Sequence, residues 1–142
     1  IALLGNVLLR QAAVAAGAAE CVLLRDGFLT EGAASNIFVV RQGVLLTPPK
    51  TNLILPGITY DVVLDLARAG ALEHEVRPVS EAEVRAADEL MLTSSTREIL
   101  PITSLDGIKV GSGIPGPVTR RLMQLFDRHK QDLQAAATVE TA

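Results

Sequence analysis

The chain of 142 residues has few aromatic side chains and almost no cysteine. Aromatic residues make up 3% of the sequence, with no Trp, one Tyr and three Phe. A core must therefore be built from Leu, Val, Ile and Ala, and the 49% of hydrophobic residues supply enough of them. The single cysteine, Cys21, excludes an internal disulfide framework and a cysteine-rich metal site. No metal site is predicted.

An excess of positive charge and a long apolar run are missing as well. The chain has 13 Lys and Arg residues against 16 Asp and Glu residues, which gives a net charge of −3. Nucleic-acid binders need a basic face, so this class of partner is not expected. No apolar run approaches the ~20 residues of a membrane-spanning helix, and the opening residues lack the basic segment of a secretory signal. We expect a cytoplasmic protein that does not associate with membranes.

The pattern of apolar residues predicts a mixed α/β chain. Helical spacing predicts helices over residues 3–16, 58–69 and 117–137, and a Ser-x-x-Glu capping box at residue 80 predicts a further short helix. Short β-branched and apolar runs predict strands over residues 20–25, 28–30, 37–40, 44–47, 72–79, 89–93, 99–105 and 108–110. Several of these runs are joined by Gly-containing hairpin turns, which argues against a purely parallel sheet.

One polar segment, residues 31–36 (EGAASN), offers a place for a flat ligand. A lone acid at the end of a strand is followed by small residues, which allow a ligand to approach the backbone closely. The carboxylate of Glu31 could keep a heterocyclic nitrogen protonated, because an opposite charge favours the charged form. A solvent-facing acid in an ordinary turn fits the same residues.

Two further segments offer hydrogen-bond donors to an anion. Residues 52–59 (NLILPGIT) place a Pro-Gly turn before a helix, whose free N–H groups and positive dipole end attract anions. Residues 93–98 (TSSTRE) place four hydroxyl side chains after an apolar strand, where they could bind phosphate or carboxylate. An ordinary helix start and a polar turn that satisfies its own backbone are the alternatives.

Taken in order along the chain, four motifs resemble those of the class IV aminotransferases. They are EGxxSNIF at 31–38, LPGITxD at 55–61, ADEL at 87–90 and TSSTxE at 93–98. The family consists of pyridoxal 5′-phosphate (PLP) enzymes of fold type IV. It includes D-amino-acid aminotransferases, branched-chain aminotransferases and aminodeoxychorismate lyase. The resemblance covers residues 1–128.

The resemblance implies a fold and a domain division. Residues 1–137 are expected to form the larger, C-terminal domain of these enzymes, an α/β pseudo-barrel with α+β character that binds PLP. Residues 138–142 are expected to be a frayed tail. The smaller N-terminal domain of the family has no counterpart in this chain.

The resemblance also implies roles for residues in all three polar segments. Glu31 matches the acid that pairs with the pyridine nitrogen of PLP and is the catalytic candidate. Leu55 matches the residue that packs on the face of the cofactor ring. The other cofactor-binding candidates match the lining of the pocket and the phosphate cradle: Ser35, Asn36, Gly57, Ile58, Thr59, Ser94 and Ser95.

The lysine that forms the Schiff base in the family is not matched. By alignment it lies about two positions upstream of Ile1, and the three lysines present, Lys50, Lys109 and Lys130, lie elsewhere. The chain by itself is therefore expected to be inactive. Arg97, beside the hydroxyl segment, is interpreted as a surface charge, with a contact to a substrate carboxylate as the alternative.

The function implied is PLP-dependent transamination between an amino acid and a 2-oxo acid such as 2-oxoglutarate. The TSSTxE motif resembles the D-amino-acid enzymes more than the Thr-Gly-Thr-Ala pattern of branched-chain enzymes, so D-alanine or a similar D-amino acid is the expected donor. The enzyme alternatives are a branched-chain L-amino-acid aminotransferase and aminodeoxychorismate lyase. A module that binds a phosphate ligand or serves assembly is the alternative outside enzymes. Family members are usually dimers, so a homodimer is expected.

Overall fold

The structure, a computed structural model, describes residues 3–52, 54–55 and 57–140 and confirms a mixed α/β chain. Within these residues there are four helices and nine strands, in the order α1 (Leu3–Ala15), β1 (Val22–Arg25), β2 (Phe28–Gly32), β3 (Asn36–Arg41), β4 (Val44–Thr47), α2 (Ile58–Ala69), β5 (His74–Val76), α3 (Glu81–Arg85), β6 (Glu89–Ser94), β7 (Glu98–Ile102), β8 (Ser104–Leu105), β9 (Ile108–Lys109) and α4 (Pro117–Glu140).

The central feature is a mixed five-stranded sheet in the order β5-β4-β3-β6-β7. Strand β5 runs parallel to β4, and the other neighbours are antiparallel. The parallel pair is joined through α2, because parallel strands need a crossover connection. Strands β1–β2 and β8–β9 form two smaller sheets. In the described part of the chain the sheets are open, and none closes into a barrel.

Both faces of the central sheet are buried, which is why β3 and β6 read as continuous apolar runs. Because side chains alternate across a strand, Phe38 and Met91 face α2 and α4, whereas Ile37 and Leu92 face the opposite side. The second face is covered by residues of β2, α3 and the loops, among them Leu29, Val79, Val84 and Val110. The sheet is thus fixed between two apolar layers.

The start of α4 is held by a buried acid on the sheet. The carboxylate of Glu89 accepts hydrogen bonds from the N–H groups of Val118 (3.2 Å) and Thr119 (2.8 Å). These N–H groups belong to the first turn of the helix and have no partner within it. Gly116 packs against the Glu89 side chain so closely that a Cβ would overlap it.

Three predicted elements differ from the structure by three or more residues at one end. The predicted strand 72–79 is confined to β5, because Pro78 lacks the N–H group that would continue the ladder. The predicted strand 99–105 is divided into β7 and β8, since the chain leaves the central sheet at Thr103 and pairs with β9 instead. Helix α4 extends to Glu140, past the predicted end at 137, and residues 141–142 lie outside the described part.

Candidate functional site

The first two polar segments meet at the beginning of α2, and Asn36 joins them. Its side-chain oxygen accepts a hydrogen bond from the N–H group of Gly57 at 3.0 Å. Its side-chain nitrogen donates to the carbonyl of Leu55 at 3.3 Å. Asn36 is itself buried at the start of β3, so the sheet fixes the loop that precedes the helix. Pro56, between the two bonded residues, lies outside the described residues.

The carboxylate of Glu31 lies beside the same loop. One oxygen accepts from the N–H group of Leu55 at 2.9 Å, and the other accepts from the side-chain amide of Asn6 at 3.2 Å. A carboxylate has about four acceptor positions, so these two bonds leave capacity for another donor. Glu31 and the start of α2 therefore border one region, and Asn6 of α1 joins them without any signal in the sequence.

The first turn of α2 presents free donors and apolar surface together. Gly57 is the N-cap residue, has extended backbone angles and provides no side-chain cap. The dipole end and N–H groups of the first turn can accordingly receive an anion. Thr59 is buried in that turn, whereas the side chains of Ile58 and Leu55 are 84% and 67% exposed. Large apolar side chains exposed next to a carboxylate and a helix N-terminus suit a flat, charged ligand.

The third polar segment begins next to Asn36 in the sheet. Thr93 is the cross-strand partner of Asn36, and its buried hydroxyl has no hydrogen-bond partner among the described residues. Ser94 accepts a hydrogen bond from the N–H group of Arg97 at 3.0 Å, and Ser95 is exposed in the turn that follows. The three segments are thus brought to one end of the sheet, although Ser94 uses its hydroxyl within its own turn.

The hydroxyl of Ser35 is hydrogen-bonded to Glu20, a residue outside the four motifs. It donates to Glu20 at 2.8 Å, and the N–H group of Ala34 donates to the same carboxylate oxygen at 3.2 Å. Next to Glu20, burial raises the pKa of the Cys21 thiol, and the negative charge of Glu20 adds to the rise. A thiol of raised pKa carries less of the reactive thiolate form at neutral pH.

Three further charged side chains, those of Arg97, Lys50 and Lys130, are engaged by other residues of the chain. Arg97 donates to the carbonyl of Ala19 at 3.0 Å, a backbone contact that neither interpretation from the sequence included. Lys50 pairs with Asp61 at 2.6 Å, and Lys130 pairs with Glu98 at 2.8 Å. These two lysines are held in surface ion pairs.

The residues at this end of the sheet fit the groups of PLP. An acid can hold a protonated ring nitrogen, exposed aliphatic side chains can cover a ring, and an uncapped helix start can bind a phosphate. Glu31 supplies the first, Leu55 and Ile58 the second, and the first turn of α2 the third. Fold and site together define an α/β domain whose exposed groups at this end of the sheet suit a flat cofactor that carries a phosphate.

Comparison with known proteins identifies the family within this class of domains. The family model "Amino-transferase class IV" matches residues 1–105, and the chain belongs to this family. A D-alanine aminotransferase of Bacillus licheniformis is 47% identical over 120 residues, which are 84% of this chain and 42% of that protein. A branched-chain-amino-acid aminotransferase of Escherichia coli (strain K12) is 44% identical over 101 residues, which are 71% of this chain and 33% of that protein.

Solved structures of the same family share the fold. The branched-chain amino acid aminotransferase of Escherichia coli superposes with a TM-score of 0.83 at 40% identity, over 87% of this chain and 41% of that one. A branched-chain amino acid aminotransferase of T.th., solved with pyridoxamine 5′-phosphate, has a TM-score of 0.82 at 34% identity, over 87% of this chain and 41% of that one. The chain thus spans less than half the length of these relatives.

Two other kinds of feature are absent from the described residues. Across residues 3–52, 54–55 and 57–140, no three His, Cys, Asp or Glu side chains are grouped so as to hold a metal ion. None of the helices in those same ranges combines the length and the apolar character needed to cross a membrane.

Proposed function

We propose that the protein containing this chain catalyses PLP-dependent transamination between an amino acid and a 2-oxo acid. The observation that carries the proposal is the meeting of Glu31, Asn36 and the uncapped start of α2 around one exposed apolar surface. Membership of the class IV family supports the same assignment.

In this proposal each residue of the site has a stated task. Glu31 keeps the ring nitrogen protonated, and bound PLP then supplies an electron sink for the charge that develops at the substrate Cα. Leu55 and Ile58 cover the ring. The N–H groups of Ile58 and Thr59, with the Thr59 hydroxyl, hold the phosphate. Ser94 and Ser95 border the site from the third segment.

Asn36 holds the phosphate-binding turn of α2 in a fixed position relative to Glu31. Its side-chain amide forms hydrogen bonds with Leu55 and Gly57, the residues on either side of position 56, and these bonds restrain the loop before α2. Ser35 lines the same turn of the chain, although its hydroxyl is directed to Glu20. The lysine that the family uses is expected outside this chain, so the activity belongs to the full-length protein.

D-alanine or a similar D-amino acid is the proposed donor, with 2-oxoglutarate as acceptor. Two observations favour it over other donors: the TSSTxE motif and the 47% identity to a D-alanine aminotransferase across 84% of the chain. A branched-chain L-amino acid is the second candidate, because relatives of that activity reach 44% identity.

The test uses the full-length protein loaded with PLP. D-alanine and L-leucine are offered separately with 2-oxoglutarate, and the new 2-oxo acid is measured. Pyruvate from D-alanine alone supports the proposal, and 4-methyl-2-oxopentanoate from L-leucine alone moves the protein to the branched-chain group. Pyruvate released from aminodeoxychorismate without any acceptor would assign it to the lyases. Failure to bind PLP would overturn the enzyme assignment and leave a binding module.

A homodimer is part of the proposal. Helix α1 exposes large apolar side chains around much of its surface, and exposed apolar surface of this extent marks an interaction site. They are Leu4, Val7, Leu8, Leu9 and Val14. Light scattering on the full-length protein tests this, and a monomer at micromolar concentration would contradict it.

A further inference from the structure

The short link between α1 and β1 contacts two of the three site segments at once. Within this link, one carboxylate oxygen of Glu20 accepts from the N–H group of Ala34 (3.2 Å) and from the hydroxyl of Ser35 (2.8 Å). The other oxygen accepts from the N–H group of Cys21 at 2.8 Å. One side chain thus anchors the turn at 32–35 to the link.

The neighbouring residue of the link is tied to the third segment. The guanidinium of Arg97 donates to the carbonyl of Ala19 at 3.0 Å. The N–H group of the same Arg97 donates to the hydroxyl of Ser94 at 3.0 Å. The residue pair Ala19–Glu20, which we call the bridge, therefore connects segment 31–36 with segment 93–98.

The contact between Glu20 and the turn is tightly packed. The turn is closed by a backbone hydrogen bond from Gly32 to Ser35 of 2.8 Å. A Cβ at Gly32 would overlap the Ser35 hydroxyl and would lie 3.2 Å from the Glu20 carboxylate. Because Gly32, Ser35 and Glu20 are in contact and Ser35 is hydrogen-bonded to Glu20, we expect a change in the position of Glu20 to shift the turn.

The turn at 32–35 separates the two residues on which the proposed site depends. Glu31 immediately precedes it, and Asn36, which fixes the start of α2, immediately follows it. A displacement of the turn alters the spacing between the acid for the ring nitrogen and the turn for the phosphate. Binding groups must be held within about 0.5 Å of their productive positions to act together.

We propose that Glu20 is a positioning residue that sets the spacing of the cofactor-binding groups through the turn at 32–35. The inference rests on the proposed function, because it concerns how PLP is held. Glu20 itself touches neither cofactor nor substrate. Its carboxylate accepts three hydrogen bonds from the link and the turn, and a carboxamide has only one oxygen with which to replace them.

The first test is PLP affinity in the full-length variant Glu20→Gln. Loss of one or two of the three bonds is expected to raise the Kd for PLP about tenfold, while kcat at saturating PLP falls less. Glu73→Gln is the matched control, because Glu73 is an exposed glutamate outside the three segments and undergoes the same loss of charge. Urea unfolding of each variant in the absence of PLP measures any general loss of stability.

A second measurement uses the parent protein alone and does not depend on how the variant folds. Hydrogen exchange is compared with and without PLP at the amides of Gly57, Ala34 and Cys21. If the bridge positions the site, the amides of Ala34 and Cys21 gain protection together with that of Gly57 when PLP binds.

The outcomes distinguish this inference from the proposed function. A raised Kd in Glu20→Gln with an unchanged control, together with joint protection, supports the positioning role. An unchanged Kd in Glu20→Gln, or protection at Gly57 with none at Ala34, overturns that role while leaving the proposed function intact. If the parent protein does not bind PLP, both are overturned.

Discussion

At the scale of single residues, the site depends on side chains that hold backbone rather than on side chains aimed at a ligand. Asn36 satisfies a carbonyl and an N–H group on either side of position 56, and Glu31 satisfies the N–H group of Leu55. These bonds fix the loop that precedes α2 at Leu55 and Gly57, and no side chain caps the first turn of the helix.

The substitution Asn36→Asp separates the structural from the ligand-binding role of this residue. The new carboxylate can still accept from Gly57, and its charge at the helix N-terminus contributes about 0.3–1 kcal/mol. It loses the bond to Leu55 and places a buried carboxylate oxygen against the Leu55 carbonyl, so stability without PLP should fall by about 1–3 kcal/mol. The negative charge repels phosphate, and the Kd for PLP should rise about tenfold or more.

Fluorescence titration with PLP and urea unfolding check this prediction for Asn36→Asp. Asn52→Asp is the control, since it introduces the same charge on an exposed side chain of the preceding loop. Unaltered PLP affinity in Asn36→Asp would show that the phosphate does not lie at the start of α2.

At the scale of elements, the short helix α3 is stabilised at its N-terminus by a capping box and a neighbouring ion pair. Ser80 and Glu83 form a capping box, as the sequence predicted. Arg77 adds a contact from beyond the box, with bonds to Glu83 at 2.8 Å and to Glu75 at 2.8 Å. The Arg77 guanidinium and the N–H group of Ser80 lower the pKa of Glu83 from 4.5 to about 2.

This shift of the Glu83 pKa predicts a dependence of stability on pH. A lowered folded-state pKa stabilises the folded protein above the unfolded-state value, and the contribution is lost as pH falls from about 4.5 to about 2. Because the Glu83 side chain is 26% exposed and its partner more so, we expect only about 1 kcal/mol at pH 7.

Urea unfolding of the parent and of Glu83→Gln at several pH values measures this contribution. The parent should be more stable at pH 7, and the two curves should converge as pH approaches 2. Glu73 is an exposed glutamate between α2 and β5, and the stability of Glu73→Gln should follow that of the parent at every pH. A difference that persists undiminished at pH 2 would exclude the ion pair as its cause.

At the scale of the whole molecule, stability comes from burying both faces of the five-stranded sheet. One face is covered by α2 and α4, where Phe38 and Tyr60 pack with ring centres 5.5 Å apart. Helix α4 contributes to this layer through its first turns, around Val118 and Leu122. Its later turns extend past the sheet and are exposed.

Replacing two leucines of α4 by alanine, one at a time, should therefore change the free energy of unfolding by very different amounts. Leu122 is 0% exposed and Leu133 is 57% exposed. Leu122→Ala should reduce the free energy of unfolding by about 3 kcal/mol, because it leaves a cavity against the sheet. Leu133→Ala should change it by about 0.5 kcal/mol or less, since surface substitutions rarely do more. Equal losses measured in urea would show that the end of α4 is buried in the full-length protein.

Local patterns predicted most of the elements. The helix over 58–69, the hairpin of β3 and β4, and the capping box at Ser80 agree with the structure, because each is set by side-chain periodicity or by hydrogen bonds among neighbours in sequence. The predicted strand 72–79 was too long, because its pairing with β4 ends where Pro78 interrupts it.

The order of residues was enough to predict the family, the three polar segments and the candidates Glu31, Asn36 and the first turn of α2. Such motifs are short and local, so their residue types and spacing can be read directly. Only the tertiary structure decided which contacts hold them, as with Asn6 on Glu31, Glu20 on the turn at 32–35 and Arg97 on Ala19. Bonds between residues 15 to 78 positions apart leave no pattern in the sequence, because they depend on how the sheet brings distant loops together.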